Sequence, residues 1–134
     1  MLGMSRIQKL EIAFTRTKSV ALYCLCSSDL PIQSVISLNL TKVNIVSLHF
    51  NGFPLLVTLN LKNVTLNDDI LERFCLGCSK LQEIVLRQCK GLYSPQLSSS
   101  SLKVMELDSH RSDSIVMKCP NLEKLVFYRL ELGE

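Results

Sequence analysis

The chain has 134 residues, a net charge of +3, 20% charged residues, 6% aromatics and no tryptophan. That length suits one domain with one core, and scattered Lys and Arg with few aromatic platforms argue against a nucleic-acid surface. The stretch with least charge, residues 20–41, is broken by Asp29, Pro31, Gln33 and Asn39 and does not read as a membrane span.

The apolar run VALYCLC behind Arg16 and Lys18 is too short and too far in for a signal peptide, and Glu11 dilutes its flank. The expected location is therefore intracellular, cytoplasm or nucleus.

In chain order, IQKLEI (7–12) opens a pattern that VISLNLTKVNI (35–45) and LVTLNLKNVTL (56–66) repeat in full, as L-x-x-L-x-L-x-x-V-x-L. NDDILERFCLG (67–77) reads as a helix. Asn67 is its N-cap, Asp68 and Asp69 complement the dipole, Ile70, Leu71, Phe74 and Cys75 share one face, and Gly77 is the C′ stop. LQEIVLRQC (81–89) resumes the pattern, QLSSSS (96–101) reads as a loop, LKVMEL (102–107) gives the first half of a unit, and LEKLVFYRLEL (122–132) a whole one.

Units start at Ile7, Val35, Leu56, Leu81, Leu102 and Leu122, at intervals of 28, 21, 25, 21 and 20. This is the leucine-rich-repeat range. Strand side chains alternate between faces, so the fourth and sixth positions of each unit point inward. The inward pairs are Leu10/Ile12, Leu38/Leu40, Leu59/Leu61, Ile84/Leu86, Met105/Leu107 and Leu125/Phe127. One unit cannot bury these residues alone, but a stack can. The expected fold is an α/β leucine-rich-repeat solenoid, with a parallel sheet on the concave side and a short helix or loops on the convex side. It forms one domain over 1–134, of about six short repeats.

Repeat position also explains the cysteines. Cys78 and Cys119 stand three residues before Leu81 and Leu122, where Phe53 stands before Leu56, and Cys89 is a ninth position like Val43, Val64 and Leu130. These read as packing slots filled by reduced thiols. Cys75-x-x-Cys78 also has zinc-ligand spacing, with Cys24-x-Cys26 as a conceivable second pair. The pairs belong to different repeats, however, and Cys75 lies on the apolar helix face, so no metal is expected.

CSKLQEIVLRQC (78–89) and CPNLEKLVF (119–127) are similar to the cysteine-type leucine-rich repeat, C-P-x-L-x-x-L-x-L-x-x-C. The run from Leu56 to Leu92, with LSSSSLKVMEL (97–107) and KCPNLEKLVF (118–127), resembles the repeat region of plant F-box/leucine-rich-repeat proteins. The resemblance covers about residues 30–132, with Ile7–Phe14 as an earlier, degraded repeat. It implies a substrate-binding repeat region of an F-box subunit of a cullin-type ubiquitin ligase. In that family an N-terminal F-box docks a Skp-type adaptor. Six residues precede Ile7, so the expectation is a recognition segment without the F-box, and an adaptor partner only in a longer form that carries one. The alternatives are a free-standing interaction or scaffold protein with no ubiquitin role, or a truncated fragment without independent function.

No catalytic residue or cofactor is expected. There is no G-x-S-x-G, phosphate-binding glycine loop or H-E-x-x-H. His49 and His110 stand alone, and adjacent Asp68 and Asp69 do not converge on one substrate. The expected partner is a protein, met by the outward strand positions: Asn39, Asn60, Lys62, Val85, Arg87, Val104, Glu106, Val126 and Tyr128. Valine suits strands in any case, while Tyr128 is a residue type enriched at interfaces. Six strands at ~4.8 Å and three outward residues per strand give a footprint of only about 240 Å², against roughly 800 Å² per partner for a standard interface. Binding would be weak unless loops contribute.

Overall fold

The alternating L-x-L runs form strands, and the segments between them return the chain to the start of the next strand. The structure is a computed structural model that describes residues 7–21, 34–47, 53–108 and 115–128. Its elements in chain order are β1 (Lys9–Ala21), β2 (Ser37–Ser47), β3 (Thr58–Lys62), α1 (Asp68–Gly77), β4 (Glu83–Arg87), β5 (Gln96–Ser98), β6 (Val104–Asp108), β7 (Val116–Lys118) and β8 (Lys124–Tyr128). A six-stranded sheet has the order β1-β2-β3-β4-β6-β8, with every neighbouring pair parallel.

The register is that of the repeat. Leu10, Leu38, Leu59, Ile84, Met105 and Leu125 form one row across the strands, and Ile12, Leu40, Leu61, Leu86, Leu107 and Phe127 another. The members on β2, β3, β4 and β6 are buried. At about 1.5–3 kcal/mol for each fully buried aliphatic side chain, these two rows are the main driving force for stacking. On β8 the same positions behave differently. Leu125 is 44% and Phe127 54% exposed, because among the described residues no strand packs beyond β8.

Main-chain bonds link unit to unit at one recurring point. The carbonyl at the second position of each unit accepts two N–H groups of the next. Gln8 accepts from Ile36 and Ser37, Ile36 from Val57 and Thr58, and Val57 from Gln82 and Glu83. Gln82 then accepts from Lys103 and Val104, and Lys103 from Glu123 and Lys124, all at 2.7–3.0 Å. After β2, β3 and β4 the chain turns through a left-handed residue at the eighth position: Lys42 (φ 58°), Asn63 (φ 54°) and Gln88 (φ 55°). Two residues on, Asn44, Thr65 and Lys90 form single parallel bridges to one another in sequence. Between turn and bridge the ninth residue drops into the core. Val43 and Val64 are buried and Cys89 half-buried, its thiol donating to the Leu61 carbonyl at 3.5 Å.

The slot three residues before each unit is also regular. Phe53 and Cys78 are buried and Cys119 is half-buried. Their carbonyls accept from Leu56, Leu81 and Leu122 N–H at 3.2, 3.1 and 3.1 Å. Before the Leu102 unit the slot holds Ser99, and its side-chain Oγ replaces the carbonyl, accepting from Leu102 N–H at 3.1 Å.

The helix is α1, as the caps predict. Asn67 Oδ1 accepts from Ile70 N–H at 2.9 Å, and Ile70, Leu71, Phe74 and Cys75 are buried. Gly77 is not the left-handed stop. It is the last helical residue, and the helix ends through Cys78 at φ −121°, ψ 86°, because that side chain must enter its buried slot. QLSSSS is not wholly a loop. Gln96–Ser98 is β5, which pairs in parallel with β7 in a separate two-stranded sheet. Leu97 is buried in the core and anchors that ribbon.

β1 and β2 are longer than the repeat requires, 13 and 11 residues. Their pairing runs to Ala13↔Thr41, shifts, and resumes at Lys18↔Val43, so residues 14–17 face Lys42 alone. The Lys42 ammonium donates to the Thr15 carbonyl at 3.2 Å across this bulge. Cys24, Cys26, His49, His110, Leu130 and Leu132 lie outside the described residues.

Candidate functional site

The sheet face opposite the core is built from the third, fifth and seventh positions. Its rows are Lys9, Ser37, Thr58, Glu83, Val104, Lys124; then Glu11, Asn39, Asn60, Val85, Glu106, Val126; then Ala13, Thr41, Lys62, Arg87, Asp108, Tyr128. All nine candidate residues therefore fall on one face in adjacent registers. The Tyr128 side chain lies outside the described residues; only its backbone, paired with Asp108, is placed.

Two rows differ in character. Asn39 and Asn60 sit side by side on β2 and β3, half-exposed, and present amide donors and acceptors. Lys62 and Arg87 sit side by side at the ends of β3 and β4, both exposed. Arg87 Nη2 lies 3.6 Å from Glu106 Oε2 on the next strand. Asp108 Oδ1 accepts from Gln88 N–H at 2.6 Å, which holds that carboxylate against the turn. The expected apolar patch is smaller than the sequence suggests. Val85 points outward but is only 8% exposed, flanked on its own strand by Glu83 and Arg87 and on the next by Glu106. Val104 and Val126 are half-exposed.

On the other side of the molecule two carboxylates do structural work that sequence reasoning did not foresee. Asp68 Oδ1 and Oδ2 accept from Tyr93 and Ser94 N–H at 2.9 Å each, and Glu72 Oε2 accepts from Gln96 N–H at 2.8 Å. One face of α1 thus receives the segment leading into β5. The Ser99 slot was also missed, although counting back three residues from Leu102 finds it.

The environments of the four described thiols favour their protonated form. Burial pushes Cys75 up to about 12, with nearby Cys119, Cys78 and Glu72 adding to the shift. Burial pushes Cys89 up to about 11, partly opposed by backbone hydrogen bonds from Val64 and Arg87. Cys78 and Cys119 are raised by the same cause. A metal ligand or nucleophile must be thiolate, so these environments oppose both roles. Among the described residues no group of three or more His, Cys, Asp or Glu is placed to hold a metal ion, and no helix is long and apolar enough to cross a membrane.

A family model described as FBD-associated F-box protein At5g56370, LRR repeats, matches residues 2–133. The chain belongs to this family. The cysteine-type repeats at 78–89 and 119–127 are thus part of a leucine-rich-repeat region of an F-box-associated type. Repeats of this family point to protein interaction and are typically not enzymes. Comparison with curated proteins and with solved structures found no match.

Proposed function

We propose that residues 1–134 form a single leucine-rich-repeat domain, a solenoid segment of about six units whose sheet lines its concave side and recognises a protein. It acts in the manner of the substrate-binding region of an F-box subunit of a cullin-type ubiquitin ligase. The observation that carries this reading is the family match over 2–133. The in-register rows support it, since they set polar, exposed side chains over a rigid backbone without using them in the core.

On this reading the chain binds and the chemistry belongs to its partners. Asn39, Asn60, Lys62, Val85, Arg87, Val104, Glu106, Val126 and Tyr128 form the contact face, inside the cell. A Skp-type adaptor would engage only a form of the protein that carries an F-box.

The test is co-purification with tagged chain from cell lysate, comparing the wild type with Asn60→Arg and Arg87→Glu, and with a purified Skp-type adaptor in a parallel arm. Discrete proteins captured by the wild type and lost from both variants are the expected result. Retention by both variants would move the binding surface off the sheet. Tight stoichiometric binding of the adaptor to this chain would overturn the division of labour.

A further inference from the structure

We infer that a second copy of this chain docks head to tail on the β8 end of the sheet. Its β1 lies beside β8 in parallel and carries the repeat register from one chain into the next. The inference is independent of what the outer face binds.

The β8 end is an unfinished unit boundary. Leu125 and Phe127 are 44% and 54% exposed, whereas their counterparts on β2, β3, β4 and β6 are at most 2% exposed. Leu122 is half-buried where Leu56, Leu81 and Leu102 are fully buried. At five boundaries the second-position carbonyl accepts two consecutive N–H groups of the next unit, but among the described residues nothing donates to the Glu123 carbonyl. These features specify the occupant. It must enter parallel, bring two consecutive N–H groups, and follow the second with apolar residues one and three places on.

The strand β1 meets that specification at the opposite edge of the sheet. Gln8 and Lys9 are the second and third positions of its unit, and Leu10 and Ile12 follow at the required spacing. Ser37 N–H donates to the Gln8 carbonyl, so Lys9, the register partner of Ser37, turns its own N–H to the other side. No described strand lies there. Ile7, Leu10 and Ile12 are only half-buried, whereas Val35, Leu38 and Leu40 are buried. Within one chain β1 and β8 are five strand spacings apart, about 24 Å, so the match is made between copies. The continued register sets Lys124 opposite Lys9, Val126 opposite Glu11 and Tyr128 opposite Ala13. Glu11 is also diagonal to Lys124, which offsets the like-charge pair, and burial of Leu125 and Phe127 drives the contact. The interface is heterologous, so assembly is open-ended. Each added copy lengthens the outer face by six strands, about 29 Å.

The test is sedimentation of the whole chain from about 1 to about 200 μM, where mass action reveals association. The weight-average mass should rise from 15.1 kDa past twice that value. It should change little between about 50 and about 300 mM salt, because apolar burial dominates. Phe127→Lys spoils the β8 end at an exposed position, and Leu125→Lys is a second variant there. Lys9→Pro combined with Glu11→Pro removes outward N–H groups at the β1 edge, where proline is tolerated. Each should weaken self-association more than about tenfold, with urea midpoints of the dilute chains confirming that they fold. Mixed together, Phe127→Lys and the double-proline chain should form a dimer that grows no further, because each supplies the end the other lacks. Hydrogen exchange should slow on association at Lys9, Glu11, Leu125 and Phe127 and stay unchanged at Leu59. A chain that is monomeric at every concentration leaves the β8 end to a strand of another protein and overturns the proposal. Full self-association by either variant, or a mixture that stays monomeric, also overturns it.

Discussion

Asp68 and Asp69 are adjacent carboxylates in the first turn of α1, and replacing each by alanine separates two roles that look identical in sequence. Both favour the helix dipole, worth about 0.3–1 kcal/mol each. Asp69 adds an exposed pair with Arg73 at 3.1 Å, worth about 0.3–0.5 kcal/mol. Asp68 adds the two 2.9 Å bonds from Tyr93 and Ser94 N–H. Hydrogen bonds to charged groups contribute about 1.5–3 kcal/mol each, but this site is partly open to solvent, so about 1 kcal/mol each is the fair figure. Asp69→Ala should therefore cost about 0.5–1.5 kcal/mol and Asp68→Ala about 2–3 kcal/mol. Urea unfolding at neutral pH measures both, and hydrogen exchange at the Tyr93 and Ser94 amides locates the difference. Exchange there should accelerate in Asp68→Ala alone. Equal losses for the two variants, with unchanged exchange at those amides, would show that α1 does not hold the segment leading to β5.

Gly91 should refuse any side chain: its φ is +97° and a Cβ would meet the Leu66 carbonyl oxygen at 2.1 Å, so Gly91→Ala should cost more than about 2 kcal/mol in urea unfolding. The thiols should make the protein alkali-sensitive. Cys75 and Cys89 hold their protons to about 12 and 11 against an ordinary 9.0, so between those values the native chain binds more protons than the unfolded one. Their stabilisation is full below pH 9 and is lost as pH rises toward 11–12. A Cys75→Val variant should show a shallower fall of the urea midpoint from pH 8 to 10.5, and native Cys75 should resist alkylation by iodoacetamide at pH 8. On the proposed contact face, Arg87→Ala and Tyr128→Ala should each weaken partner binding by about 1–2 kcal/mol, measured by titration with a captured partner, whereas Asp69→Ala should leave it unchanged.

The sheet was legible because a strand's period of two and a unit of about twenty residues leave little freedom. Once Leu38/Leu40 and Leu59/Leu61 are recognised as equivalent, the register between them follows, and the outer rows follow from the register. The α1 cap was legible because Asn67 acts on its own backbone. What escaped the sequence was contact between segments. Gln96–Ser98 carries no strong strand signal, and it becomes a strand only because β7 lies beside it. Val85 alternates outward like any strand residue, yet the longer side chains around it cover it. The extended β1–β2 pairing was hidden because residues 14–17 break the periodicity on one strand only. Gly77 has the composition of a helix stop, but the demand for burial at Cys78 decided the exit.

The carbonyl at the second position of each of the first five units is a socket made wholly of main chain. Five successive junctions use the same two-pronged plug, whichever side chains the donors carry. Adhesion between neighbours is thereby uncoupled from the letters on the outer face. An outer-face side chain can therefore be exchanged without disturbing these joints. Change on the outer face and cohesion of the stack are two separate matters in this fold.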